Sequence, residues 1–402
     1  MPLPLEGVRV LEFGDFLPTA FTCMQLGDFG ADVIRVQAPP GTVGGRRAAQ
    51  AASVPPEQRS PFQADPVFDA TGRNRRSIVL DLKNAQGREI GARLADSCDV
   101  LVEGFRPGVM QRLGMGYDDL RARNPQLVYC SVSLFGQDGP YRDWPGHDPL
   151  GLGVAGLLHL NSDPRDDRPR LLGTPVGDVG AGLHATIGIL LALRACQSGG
   201  TGQYIDIGMT DASLDFSILA SVQALQGTTV PRLNRPNPVS GIWRTADGKY
   251  LCTTNLEPHH WANFCRTIGM EELIPLRYDR SRRDELFTLV EERMRTRTRD
   301  QWLTIFHGAL ESQAAPVNDI HEVFSDPHVV AREMVIDSCD AAGKRGRQLG
   351  FSIKLQQTPA RLRGVAPQPG ADTGALLSEL GYADAEIAAL MQSGVACAPD
   401  PA

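Results

Sequence analysis

The chain has 402 residues, 42% of them hydrophobic and 22% charged, the proportions of an ordinary soluble globular protein. That length suits two domains, or one large domain carrying an insertion. A net charge of -7 gives no electrostatic case for nucleic acid or an anionic membrane surface as a partner.

In chain order, Val8 to Phe13 is a β-prone run ending at Gly14, Ala20 to Phe29 is helix-compatible, and Ala31 to Val36 is predicted as a second strand. Strand, helix and strand in close succession predict a βαβ unit with a right-handed crossover. A long loop rich in Gly, Pro, Ala and Arg is predicted from Ala38 to about Ala70. Strands are then predicted over 77–82, 99–103 and 127–132, with helical pieces over 86–95 and 109–113 between them. This alternation predicts a mostly parallel, doubly wound α/β domain, whose ligands bind beyond the carboxyl ends of the strands. The loops after Phe13, Val36, Glu103 and Leu134 are the expected site.

A buried helix is predicted from Leu183 to Cys196, then a strand over 204–207 and a helix from Asp211 to about Leu225. Residues 226–240 read as a linker. A hairpin with an Asp-Gly turn over 243–251 and helices over 261–268, 283–294 and 299–310 then suggest a smaller α+β domain. Phe351 to Leu355 and a helix from Thr373 to Leu380 are expected to return to the large domain. The resulting division is 1–225 for the first part of the large domain, 226–335 for an inserted small domain, and 336–402 for the return.

The N-terminus lacks a basic stretch followed by an apolar core, and no apolar run is expected to span a membrane. Eight cysteines without a C-x-x-C pair and eight histidines without ligand spacing read as thiols of a reducing compartment and no metal site. The expected location is cytoplasmic. Gly151, Gly153 and Gly156 match G-x-G-x-x-G, but no strand is predicted immediately before them, so helix packing through small residues is the better reading.

The chemistry is expected around Asp178, in Gly177-Asp178-Val179-Gly180-Ala181-Gly182, where a carboxylate sits at a helix start among small residues. An ordinary capping role would also suit it. His147 lies in a loop and Glu257 precedes Pro258 at another helix start; each is a candidate partner as well as an ordinary surface group. Arg35, Arg73, Arg75, Arg76, Lys83, Arg106 and Arg112 flank strand termini and would suit a phosphorylated, nucleotide-like ligand.

Several motifs together carry a family resemblance: Leu5 to Glu12, Leu26 to Val36, Asn74-Arg75-Arg76-Ser77-Ile78, Phe105-Arg106-Pro107-Gly108 and Gly177-Asp178. Over nearly its whole length the chain resembles the class III CoA-transferase (CaiB/BaiF-like) and α-methylacyl-CoA racemase superfamily. The resemblance implies a Rossmann-like large domain, a small domain, and two subunits interlocked as rings in a homodimer. It implies an acyl-CoA substrate, with coenzyme A bound as part of that substrate and no tightly bound cofactor. The positions implied to hold coenzyme A are Phe16, Arg75, Leu80, Lys83, Phe105, Arg106, Arg112 and Met209. Ala38 stands where many members have an arginine.

The resemblance implies two uses of Asp178. In the racemases it would share α-proton transfer on a 2-methylacyl-CoA with His147, supported by Glu257, through an enolate. In the transferases it would be a nucleophile that becomes an aspartyl-CoA thioester and passes CoA to another acid. Gly146-His147-Asp148 and Leu256-Glu257-Pro258 resemble the racemase pattern, so racemisation is the expected activity and CoA transfer the alternative.

Overall fold

The predicted apolar runs pair into one sheet. Strands β1 (Arg9–Phe13), β2 (Asp32–Gln37), β3 (Arg75–Leu80), β4 (Val100–Glu103), β5 (Val128–Ser133) and β6 (Tyr204–Gly208) are all mutually parallel. Their spatial order is β3–β2–β1–β4–β5–β6, and the short strand Ala396–Cys397 adds antiparallel to β3 as a seventh member. The computed structural model describes residues 1–14, 16–39, 65–230, 234, 237–308 and 313–399. Most of the loop predicted from Ala38, parts of the predicted linker and the end of the helix predicted over 299–310 lie outside the described residues.

Burial on both faces explains the near-continuous apolar strands. Because side chains alternate along a strand, Val10, Val33, Val100, Val102, Val128, Cys130 and Val132 form one core. Leu11, Phe13, Ile34, Val36, Ile78, Leu80, Leu101 and Tyr129 form the other. Helices α1 (Leu17–Asp28), α2 (Ala85–Asp96), α3 (Asp148–Val154), α4 (Val176–Gln197), α5 (Met209–Asp215) and α6 (Ile218–Leu225) follow in the chain. Residues of α1 and α4 complete the first core, and Ile90, Leu94 and Ala95 of α2 contribute to the second.

Two sequence expectations change here. The helix predicted as buried is buried on one side only: Ala181, Ala185, Ile189 and Ala192 face the core, whereas Ile187 and Leu191 are 55% and 66% exposed. At 22 residues α4 is also long and apolar enough to cross a bilayer, a length not foreseen from its sequence. Here it lies against α1, α5, β5 and β6. The helix predicted from Asp211 to Leu225 is two helices, with Phe216 and Ser217 between them. The Phe216 ring fills the place of a side chain at Gly180, where a Cβ would meet its Cε2 at 2.5 Å.

The chain divides into two compact units. The first comprises residues 1–159, 170–230 and 333–402 and holds the seven-stranded sheet. The second comprises 160–169 and 231–332, so it takes in a stretch that the sequence reading assigned to the large domain. Its strands β7 (Ser240–Arg244), β8 (Tyr250–Thr254) and β9 (Ala314–Val317) form an antiparallel sheet beside a core of Trp243, Trp261, Phe264, Trp302 and Phe306. The three buried indole N–H groups donate to Thr253 Oγ1, the Leu273 carbonyl and the Met294 carbonyl, as burial of a polar handle requires.

In the first unit, Asp28 at the end of α1 is the anchor for the returning C-terminal segment. Arg73, 1% exposed, donates from Nε and Nη2 to the two Asp28 oxygens at 2.8 and 2.6 Å. Asn74 Nδ2 donates to Asp28 Oδ1 and to the Arg361 carbonyl, both at 2.8 Å, while its Oδ1 accepts from the Arg363 and Gly364 N–H groups. Asn74 holds φ at 57°, a left-handed conformation Asn tolerates better than most residues. Phe351, in a stretch without regular structure, stacks on the Arg73 guanidinium at 4.6 Å. Removing one partner of a buried pair leaves the other charge uncompensated, so Asp28→Ala should lower the unfolding free energy by about 3–5 kcal/mol, measured by urea titration.

Candidate active site

Asp178 is the third residue of α4 and is 8% exposed. It caps nothing: the helix starts at Pro175 without a side-chain cap, and Asp178 Oδ1 is buried with no hydrogen-bond partner among the described residues. The backbone N–H of Asp178 instead donates to Asp148 Oδ1 at 3.1 Å. Burial pushes the Asp178 carboxyl up to about 7, and the neighbouring Asp148 charge adds to the rise.

Asp148 opens α3 and is 7% exposed. Small residues let it come so close. A Cβ on Gly177 would stand 2.8 Å from Asp148 Oδ1 and 3.1 Å from Ser213 Oγ. A Cβ on Gly151 would meet Leu134 at 3.1 Å and Thr210 at 3.4 Å, so α3 presses onto the end of β5 and the start of α5 through that glycine. Of the three G-x-G-x-x-G glycines Gly151 alone packs in this way, since nothing among the described residues lies within 4 Å of a Cβ built on Gly156.

His147 is the residue before α3; its ring is exposed and makes no capping hydrogen bond. The side chain brought onto the Asp178 backbone is that of Asp148, one position further on. Glu257 lies in the second unit, immediately before the helix Pro258–Ile268, with its carboxylate 3.8 Å from His260. Neither Asp148 nor Ser213 was picked out from the sequence. Asp148 was legible only as part of the Gly146-His147-Asp148 motif, where the histidine drew the attention.

The basic residues separate into two groups. Arg73 is held by Asp28, Arg76 by Asp32 and Glu379, and Arg35 lies 3.7 Å from Glu12. The Arg75 side chain, 1% exposed, lies 3.3 Å from Glu12 and donates to the Ala20 carbonyl. Arg75 is thus walled in, and its expected role as a coenzyme contact does not fit this burial. Lys83, Arg106 and Arg112 are exposed and make no ion pair among the described residues.

These three follow the carboxyl ends of β3 and β4. Phe16 and Phe105 follow β1 and β4, the two strands between which the order of the sheet reverses. That switch point is the ordinary ligand crevice of an open parallel sheet. Gly104 brings the two loops together, since a Cβ there would touch Thr19 at 3.0 Å and Phe16 at 3.2 Å. Met209 at the start of α5 and Leu80 at the end of β3 are both fully buried, so neither is open to a ligand here. One further cation escaped the sequence reading. An atom built on Gly108 would sit 3.1 Å from Arg112 Nη1 and 3.6 Å from Arg142 Nη2, so two guanidinium groups converge on one point.

The raised Asp178 carboxyl has a consequence for stability. Its charged form is disfavoured in the fold, so stability is lost as pH rises from the ordinary carboxyl value of 3.8, and the loss is complete above about 7. Asp178→Asn should therefore raise the unfolding free energy at pH 8 by on the order of 3 kcal/mol and leave it nearly unchanged at pH 4, as checked by denaturant curves at both values.

Comparison with known proteins bears on this arrangement. The model of CoA-transferase family III matches residues 5–373. An acyl-CoA transferase of Fusarium pseudograminearum is 30% identical, covering 97% of this chain and 88% of that protein. The beta subunit of a succinyl-CoA–L-malate CoA-transferase of Chloroflexus aurantiacus is 30% identical over 96% of each chain. A succinate–glutarate CoA-transferase of Agrobacterium fabrum is also 30% identical, over 94% of this chain and 96% of the other. Among solved structures, a CAIB/BAIF family protein from Brucella suis superposes with a TM-score of 0.80 at 28% identity, covering 94% of this chain and 100% of that one. These relatives are named for CoA transfer, so the comparisons favour the alternative activity over racemisation. With a parallel sheet, a buried helix-start aspartate and this match over nearly the whole chain, the protein belongs to CoA-transferase family III.

Proposed function

We propose that the protein moves CoA from an acyl-CoA to a carboxylic acid, with Asp178 as the covalent nucleophile. The observation that carries this reading is Asp178 Oδ1, buried and without a hydrogen-bond partner among the described residues. A carboxylate so placed is poorly solvated and free to attack. One Asp178 oxygen bonds to the thioester carbonyl carbon, the C–S bond breaks, and CoA leaves as the thiolate. The thiolate then attacks the Asp178 carbonyl carbon of the mixed anhydride and releases the donor acid. An acceptor carboxylate reverses the two steps on the resulting aspartyl-CoA thioester. Early N–H groups of α4 are suitable donors to the oxyanions formed on the way.

Lys83, Arg106, Arg112 and Arg142 would hold the phosphates of coenzyme A, with Phe16 and Phe105 as apolar contacts; Leu80 and Met209, like Arg75, are too buried to touch it. Coenzyme A enters as part of the substrate. Racemisation has less support, because His147 is exposed and the group on the Asp178 backbone is another carboxylate.

A homodimer fits the surface of the first unit. Ile187, Leu191, Phe216, Ile218, Leu219 and Leu225 are each between 49% and 88% exposed, all on α4 to α6 and the link between the last two. Apolar exposure of that extent in neighbouring helices is what a subunit interface covers. A cytoplasmic location suits an enzyme that works on CoA thioesters.

Incubation with succinyl-CoA and either malate or glutarate, the acids in the relatives' names, should give acid-dependent CoA movement. Asp178→Ala should abolish it, His147→Ala should keep it, and donor alone in deuterium oxide should leave the α-carbon without deuterium. Arg142→Ala should raise KM for the acyl-CoA roughly tenfold with little change in kcat, the loss of one charge-assisted hydrogen bond. Sedimentation should show a dimer that Leu219→Glu with Leu225→Glu dissociates.

A further inference from the structure

We propose that Asp148 is a positioning residue whose negative charge drives acylation of Asp178, by making the free carboxylate the least comfortable state of the site. The inference rests on the nucleophile reading above. Its basis is geometric: two buried carboxyl groups share one site, joined through the Asp178 N–H, and Asp178 Oδ1 has no hydrogen-bond partner among the described residues. The Asp178 N–H donates to Asp148 Oδ1 at 3.1 Å, while Asp178 Oδ1 has no donor among the described residues. Gly177 is the gap that permits the approach.

Both covalent states of residue 178, the mixed anhydride and the aspartyl-CoA thioester, are uncharged. Acylation consumes the Asp178 anion: its oxygen bonds to the acyl carbon while the negative charge leaves on the thiolate. The repulsion from Asp148 is present before that step and absent after it. A carboxylate destabilised in this way is also more basic and hence a stronger nucleophile.

Other titratable groups on the elements packed against α4 do not supply this charge. Residue Asp28 of α1 is held by Arg73, and Cys23 of α1 and Tyr129 and Cys130 of β5 are buried, which keeps all three neutral. On β6, Asp206 accepts from the Gln137 N–H, and burial raises Tyr204 to about 12. On α5, Asp215 is bound by His184 of α4 itself, and the remaining acid, Asp211, stands against Gly208. Beyond burial, Asp148 is the group that acts on Asp178.

The test replaces the charge and keeps the shape. Asp148→Asn can still accept the Asp178 N–H through Oδ1, and Asp148→Ser is a second neutral variant should the first fold poorly. With succinyl-CoA and no acceptor, intact-protein mass spectrometry reads the fraction of enzyme carrying CoA. Either variant should show a fall of roughly tenfold or more in the ratio of adduct to free enzyme. The acid limb of the pH–rate profile should move to lower pH, yet stay above the ordinary carboxylate range because burial remains. A merely structural role would lower kcat or the melting temperature without moving that limb. An unchanged adduct ratio and pH profile, with the wild-type adduct present, would overturn this inference alone. No adduct in the wild type, together with full activity in Asp178→Asn, would overturn the nucleophile reading and this inference with it. A third readout is independent of turnover. The pH dependence of stability that Asp178→Asn removes should be smaller in the Asp148→Asn background, and an equal dependence in both backgrounds would overturn the proposal.

Discussion

A carboxylate placed under protein without a cation needs the backbone to hold it still. Asp178 occupies such a place, defined by backbone, a missing side chain and one neighbouring carboxylate. The first turn of α4 sets its direction, its own N–H is engaged by Asp148, and Gly177 leaves the opening through which Asp148 arrives. The parallel sheet supplies the frame for this. Its fifth strand ends where α3 lies down on Leu134 through Gly151, and Thr210, the second residue of α5, bonds to the same Leu134 carbonyl. Three helix starts are thereby brought to one end of β5 and β6. The electrostatic tension at residue 178 is a product of this packing.

The contrast with the arginines illustrates that division. Four of the cations named from the sequence are bound within the unit to Asp28, Glu12, Asp32 and Glu379. Lys83, Arg106 and Arg112 stay exposed beyond the strand ends, and Arg142 is paired only with its neighbour Asp143 and a carbonyl. These arginine charges are met within the unit, whereas Asp178 Oδ1 has no partner among the described residues. A site for acyl transfer gains from that difference, since a solvated or paired carboxylate would be a poor nucleophile toward a thioester.

The parallel sheet was legible in the sequence because strands buried on both faces are uninterrupted apolar runs, and each of the six lies within two residues of its predicted place. The close packing around Asp178 was legible from its glycine-rich setting. Its partner was not, because contact between residues 148 and 178 depends on how α3 packs, which no local spacing encodes. The fate of Arg75 was hidden for the same reason: an arginine at a strand start reads identically whether it faces water or a buried Glu12 on a strand two places away. The exposed side of α4 was misread because its apolar residues surround the helix, and an apolar periphery looks like full burial when no partner surface is in view.

The clamp that Asn74 and Arg73 place on the last part of the chain also sets an order of events during synthesis. The open edge of β3 is covered only by Ala396 and Cys397, and the carbonyl and amide groups of Asn74 wait for Arg361 to Gly364. Residue 397 must therefore leave the ribosome before the sheet can close its border. Until then the nascent protein carries an unpaired strand edge, and the 231–332 unit, complete much earlier, can fold while the sheet is still unfinished.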